Sequence, residues 1–435
     1  MKKIRTIQLV AVVFFTVSGG PYGLEPLLGF AGQHGALVLL LLTPLCWDIP
    51  AIFTVLELNS MMPVTGGYYK WVKHALGTRW GFYEGWWTWL YTFVDLAIYP
   101  VLFVTYLGYF IPGIGAWQRY LICLVFIWSS AGLNILGIMP VGKVSLILGA
   151  IVLSPFIILF SLAFYHHAGG LVLPSPSLKG IRLPSLGMAL YTVMWNCLGW
   201  DNTTTYAEEV EKPVRSYLIS TFMAFGLVII VYFLVIWVAQ LSGINTDKLS
   251  GEGFPVLGEL LGGKWLGVLM AVGGMASAAG IYASVLLSVS RVPMVMADDR
   301  LLPAKLNKRH KRFQTPFISI IICSVVVSGM VLWGFTDLLI IDVTIYGAGL
   351  ALEYISLIRM RVKEPDTYRP FKIPLGILGL CFGLILPISV YFIALGGAFA
   401  STKSAVSAAV FAILTLSSAE LLWQTVSFTA IRRHE

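Results

Sequence analysis

The sequence predicts an all-α integral membrane protein of twelve spanning helices, and two observations carry that prediction. Hydrophobic residues make up 58% of the 435-residue chain and charged residues only 11%, against roughly 25% charged in soluble domains. Apolar stretches of about 20 residues, the length that crosses a bilayer as a helix, recur from one end to the other. Unbroken runs such as Leu37 to Leu42 and Val144 to Phe164 exclude the alternating ten-residue segments of a membrane β-barrel. The lipid bilayer is therefore the first partner the chain implies.

In order, the spans are expected near 7–31, 35–58, 80–111, 118–139, 143–166, 186–210, 215–241, 265–297, 315–334, 337–358, 376–399 and 403–427. The first follows Met1 to Arg5 and is read as a retained helix rather than a signal peptide, because Ser18 to Gly20 runs on into Pro21 and more apolar sequence. Between the second and third spans, Gly66, Gly67, Tyr68, Tyr69, Trp71, Lys73 and Trp80 suggest an interfacial helix whose aromatics anchor it. Alternate loops collect the basic residues: Lys2, Lys3 and Arg5, then Lys70, Lys73 and Arg79, Arg300 to Arg312, Arg359 to Lys372, and finally Arg432 and Arg433. That asymmetry predicts both termini in the cytoplasm. It also accounts for the net charge of +8 without a nucleic-acid partner.

Other classes are excluded by what the residues do not form. The five cysteines (Cys46, Cys123, Cys197, Cys323 and Cys381) lie inside apolar runs and never approach CxxC spacing, so neither a disulfide framework nor a zinc site is expected. There is no P-loop to bind ATP and no nucleophile–base pair, so no enzyme activity and no cofactor are expected. His34, His74, His166, His167, His310 and His434 all fall near loops or ends, which argues against a histidine proton relay.

Two spans carry a reason to break. In the first, Ser18-Gly19-Gly20-Pro21-Tyr22-Gly23-Leu24-Glu25 places glycines, a proline and a carboxylate near the expected bilayer centre. Proline removes an amide donor and the glycines permit a non-helical path. Backbone groups freed in hydrocarbon cost several kcal/mol each, so such a break persists only where protein, an ion or a polar cavity receives them. The sixth span holds the counterpart, Trp195-Asn196-Cys197-Leu198-Gly199-Trp200-Asp201, followed by Asn202 and three threonines. Paired interruptions of this kind are the sequence pointer to an inverted-repeat transporter with its site at the midplane. The bland alternative, a pair of glycine kinks for close packing, does not require Glu25 or Asp201.

The remaining intramembrane charges divide. Asp95 lies well inside the third span and shares a helical face with Tyr99. A buried carboxylate needs a partner, which a cationic substrate or a proton supplies, or else a structural hydrogen bond. Asp48 precedes Pro50 and is read as structural, and Glu57 and Glu353 are expected to pair with loop arginines. Lys143 opens the fifth span, where it either snorkels or takes part in proton movement.

Taken together, Val17 to Glu25, Pro63 to Tyr68, Gly81 to Trp87, Val94-Asp95 with Tyr99 to Phe103, Trp195-Asn196 with Trp200-Asp201, Ala207 to Pro213, Arg300 to Pro303, Thr315-Pro316 and Tyr368 to Phe371 resemble the amino acid–polyamine–organocation transporters. Within them the chain looks closest to the polyamine-uptake branch and its bacterial relatives. The resemblance implies a five-plus-five inverted repeat, with spans 1–5 in residues 1–166, spans 6–10 in 167–358, and two further spans and a tail in 359–435. It implies alternating access around the broken helices and a bacterial cytoplasmic membrane. Carried over by position, Ser18, Gly19, Gly20, Tyr22, Gly23 and Glu25 line the site with Asp95, Tyr99, Trp195, Asn196, Trp200 and Asp201, Trp200 acting as an aromatic wall and gate. Lys143 resembles a fifth-span lysine that replaces a sodium ion in proton-linked or exchanging amino-acid carriers, so Lys143 and Asp95 are the expected proton-coupling positions. Pro21 departs from the usual Gly-x-Gly run and deletes a donor for a substrate carboxylate. The expected activity is secondary transport of small cationic amines, with a proton or a counter-substrate as second partner. An amino-acid permease or exchanger, and a receptor that binds without transporting, are the alternatives. No motif specifies an oligomeric state.

Overall fold

A computed structural model describes residues 3–166 and 173–431, the last five of these by backbone alone. Met1, Lys2, His167, Arg432, Arg433 and His434, and with them part of the charge and histidine patterns above, lie outside the described residues. Every regular element within them is helical, and no strand occurs beyond two isolated bridges, Ile4 with Val210 and Thr65 with Tyr206.

The first helix, α1 (Thr6–Val17), stops where Gly19 and Gly20 turn to φ of 62° and 101°. These values lie in the left-handed region that glycine enters without steric cost. Helical geometry resumes at α2 (Glu25–Thr43), started by Pro26 and kinked at Gly32, where φ is 65°. The kink falls in the interval the sequence assigned to a loop between the first two spans. A π-helical turn at Pro44–Asp48 joins α2 to α3 (Ile49–Met61). Next come α4 (Gly67–Leu76), α5 (Thr78–Leu107), α6 (Ala116–Ile135) and α7 (Ile138–His166).

The second half begins with α8 (Leu183–Asn196), which ends before Gly199 at φ 92° and two short 3-10 turns, Asn202–Thr205 and Ala207–Glu209. It continues with α9 (Pro213–Leu241), α10 (Thr246–Glu252), α11 (Phe254–Gly262), α12 (Lys264–Val289) and α13 (Arg291–Asp298). The last four are α14 (Phe317–Met330), α15 (Phe335–Lys363), α16 (Ile377–Phe399) and α17 (Lys403–Ile431). Among the described residues, eight helical stretches are long and apolar enough to cross a bilayer, and Thr6–Val17 and Phe317–Met330 are shorter apolar helices.

Helix α5 packs along α15 and α12, and α12 also lies along α7. Small residues let the backbones meet where bulk would hold them apart. A Cβ on Gly187 of α8, for example, would sit 2.5 Å from the Cα of Gly397 on α16.

The anchoring role expected of Tyr68, Tyr69 and Trp71 is corrected. Helix α4 does form, but Tyr68, Tyr69 and Trp71 are buried in a cluster with Val292, Val295 and Met296. Its aromatics are core, and the basic edge does the anchoring: Lys70 and Lys73 each reach Asp299 at 2.8 Å. Partial burial pushes the Asp299 carboxyl up, but hydrogen bonds from Lys70, Lys73 and Tyr69 overcome it and hold it below the usual aspartate range. Glu57 pairs with an arginine as expected, and the pair is buried. Arg361 contacts it bidentately at 2.6 and 2.5 Å, Arg369 Nε lies at 3.4 Å, and the Ile373 amide donates at 2.8 Å.

Candidate functional site

The two broken segments meet. Asn196 at the end of α8 donates to the Gly23 carbonyl at 3.2 Å. The Tyr232 hydroxyl of α9, which the sequence reading did not single out, contacts Ser18 Oγ, the Gly20 carbonyl and the Asn196 carbonyl at 2.7, 3.2 and 2.8 Å. One tyrosine hydroxyl thus lies within reach of carbonyls from both interruptions, with one proton to donate between them, and helps keep irregular backbone at membrane depth.

The amides of the first break are largely consumed within the chain. Gly19 N–H donates to the Phe14 carbonyl at 2.9 Å, Gly20 N–H to Ser18 Oγ at 3.0 Å, and Leu24 N–H to the Pro21 carbonyl at 3.0 Å. Gly23 N–H donates to Glu25 Oε2 at 2.7 Å. Glu25 Oε1 accepts from the Tyr106 hydroxyl at 2.6 Å and the Phe254 amide at 3.4 Å. Tyr22 packs its ring on Tyr106, Phe156 and Phe254, and its hydroxyl has no partner among the described residues.

Glu25 and Gly23 form the floor of a cavity of about 460 Å³ that rises past Tyr106, Tyr109 and Phe335 to the exposed Glu252. Its charged lining is Glu25, Glu252 and Glu259, with no basic residue among the described residues. Trp195 lies beyond that floor. A Cβ on Gly23 would sit 2.7 Å from the Trp195 ring, so the glycine is what lets the indole lie there. Phe335 packs edge-on to the same ring, with centroids 5.6 Å apart.

On its far side Trp195 stacks with Tyr99, and both donate to Asp95 Oδ1, the indole at 3.2 Å and the tyrosine at 2.5 Å. Asp95 is 2% exposed, and Asp342 of α15, close enough for the two charges to interact, is 0% exposed, with neither of its oxygens accepting a hydrogen bond among the described residues. Asp342 carries the signal that singled out Asp95, a carboxylate inside an apolar span, and the sequence reading passed over it.

Farther along, Asp201 belongs to the second break. It accepts from the Tyr346 hydroxyl at 2.8 Å, and that hydroxyl in turn accepts from the Gly199 amide at 3.3 Å. Glu84 of α5 and Glu353 of α15 share its neighbourhood. The expectation that Glu353 pairs with a loop arginine is corrected: it is 1% exposed, beside Asp201 and Glu84, and in no ion pair among the described residues.

Trp200 is turned away from Asp95. Its indole donates to Asp48 Oδ1 at 3.3 Å and its ring packs on Phe225, which fits Asp48's structural reading. The indole beside Asp95 is that of Trp195, together with the Tyr99 ring. Lys143 is exposed on α7, and no ion pair joins it to a carboxylate among the described residues.

Comparison with known proteins agrees with the overall class. A family model described as amino acid permease matches residues 4–416. Polyamine transporter RMV1 of Arabidopsis thaliana is 33% identical over 394 residues, covering 89% of this chain and 79% of that protein. Polyamine transporter PUT1 of Oryza sativa subsp. japonica is 32% identical over 393 residues, covering 89% and 72%.

Proposed function

This chain belongs to the amino acid permease family and is an integral membrane transporter, and from that premise we propose that it carries small linear amines bearing two or more positive charges, polyamines such as putrescine or spermidine. The observation that carries the reading is the Asp95–Asp342 pair, two buried carboxylates near enough to interact, with no lysine, arginine or histidine paired to either among the described residues. An ionised carboxylate at membrane depth costs about 2.5 to 3.5 kcal/mol on insertion scales. Two near each other also repel, so an ammonium group between them offsets both terms.

Trp195 and Tyr99 offer aromatic faces to the same cation. The cavity above supplies Glu252 and Glu259 toward its mouth and Glu25 at its floor, which concentrate cations within it. The first break supports this choice over an α-amino acid. Carriers that bind a carboxylate use free helix-end amides, whereas here Gly19, Gly20, Gly23 and Leu24 already spend theirs inside the chain and Pro21 has none.

In this proposal the chain has twelve spans, residues 1–166 and 167–358 are the two inverted repeats, and 359–435 adds two spans and a tail. Both termini face the cytoplasm, and access to the Asp95–Asp342 pair alternates as the segments around Ser18 to Leu24 and Cys197 to Asp201 move. Trp195 closes the side toward the acidic cavity. Labelled putrescine, arginine and leucine uptake into proteoliposomes tests the substrate. Putrescine is expected to be taken up, and leucine not to compete. Competition by leucine without putrescine uptake would refute the reading.

A further inference from the structure

We propose that Glu84, Asp201 and Glu353 form a proton-binding site, separate from the amine site, through which proton movement drives the amine transport proposed above. The inference rests on that reading for the identity of the cargo, but not for the proton.

The three carboxylates come from three parts of the fold. Glu84 is on α5, Glu353 on α15 and Asp201 in the interruption that follows α8, and all three are at most 2% exposed. Glu84 Oε1 accepts from Thr88 at 3.3 Å, while Glu84 Oε2 and both Glu353 oxygens find no donor among the described residues. The titratable groups facing the cluster are Tyr68 of α4, Tyr91 of α5, and Tyr346 and Tyr354 of α15, with Asp48 beyond Tyr354. None is a base with a positive charge.

The ligand is narrowed by size. The void bordered by Glu84, Asp201 and Gly349 has no room for a water-sized sphere. Nor is any group of three such side chains among the described residues set to hold a metal ion. A proton is the cation that needs no cavity. Glu353 lies within hydrogen-bond reach of Asp201, and two carboxyl groups can share a hydrogen bond only if one carries the proton.

Position makes that proton consequential. On α5 Glu84 precedes Asp95 by three helical turns, about 16 Å, and on α15 Glu353 follows Asp342 by the same interval. The cluster is therefore a second rung below the amine site. Between the rungs Tyr91 and Tyr346 meet edge to face with centroids 5.3 Å apart. Tyr346 bonds both Asp201 and the Gly199 amide of the break. While the proton is held, Asp201 stays clasped to Glu353 and the tyrosine pair stays shut. Releasing it to water leaves like charges in contact, and their repulsion moves Asp201 and its unwound segment away from α5 and α15. The path from the Asp95–Asp342 pair past the tyrosines then opens.

Two measurements test this on the full-length protein. In proteoliposomes, one coupled proton is worth about a tenfold accumulation of labelled putrescine per unit of inside-alkaline pH gradient. Glu84→Gln and Glu353→Gln, which cannot build up the repulsion that opens the path, are expected to abolish that accumulation and to slow putrescine counterflow at equal pH. Variants that still accumulate tenfold overturn the proposal. Infrared difference spectra of the purified protein between two pH values, with no substrate present, read the proton itself through its carboxylic C=O band. The wild type is expected to show a band that both variants diminish. An unchanged band in both variants overturns the proposal, even if they fail to transport. If the band behaves as expected but no protein moves any polyamine, the amine reading fails and the proton site stands.

Discussion

Trp195 donates to Asp95 across 3.2 Å from a ring whose six-membered edge lies against Gly23, at the floor of the acidic cavity. In the proposed site the indole is both a plug and a hydrogen-bond donor to the carboxylate it hides. Replacing it with alanine removes both roles. Trp195→Ala is expected to speed release of bound labelled spermidine by about tenfold or more, the scale of one charge-assisted hydrogen bond. Trp195→Phe, which keeps the plug but not the donor, is expected to fall between alanine and wild type. Equal release rates in all three proteins would remove Trp195 from the path.

Gly23 is tied to the same contact. At φ 90°, with the Trp195 ring 2.7 Å from any added Cβ, Gly23→Ala meets both backbone strain and overlap. A loss of about 1 to 3 kcal/mol is expected, the usual cost of overpacking. Thermal unfolding in detergent checks it, and adding Trp195→Ala should recover the overlap part but not the backbone part. A glycine variant as stable as wild type would contradict this packing.

Acid sensitivity is expected where α4 meets Asp299. Its carboxyl titrates lower in the folded protein than unfolded, so the stabilisation from Lys70, Lys73 and Tyr69 is full above the ordinary aspartate value of about 3.9. It fades as pH falls below that value through the folded one. Melting temperature measured from pH 6 to pH 3 should therefore fall less steeply for Asp299→Asn than for wild type, from a lower starting point. Parallel curves would dismiss the contribution.

These residues also mark how far the sequence could be read. The interruptions at Ser18 to Leu24 and near Gly199 were legible because glycine and proline act locally, and Glu57 was legible because buried charges need partners. Trp200 and Trp195 sit in the same short segment, and once the helix unwinds no periodicity says which indole turns toward Asp95. Asp342 and Glu84 were visible as acids in apolar spans, but their meaning depends on α5 packing against α15, a pairing that neither helix's own sequence states. Tyr232 carried no signal, since a tyrosine in a spanning helix usually anchors or packs. Lys143 fits a motif, and its side chain is exposed on α7, a placement that depends on packing and that the motif does not state.

The central claim is that Asp95 and Asp342 together receive an ammonium group, and equilibrium binding of labelled spermidine to the purified protein tests it most directly. Wild type is expected to bind spermidine without displacement by leucine, and Asp342→Asn to bind at least about tenfold more weakly, as loss of one buried charge partner implies. Displacement of spermidine by leucine, or wild-type affinity in Asp342→Asn, would contradict the account.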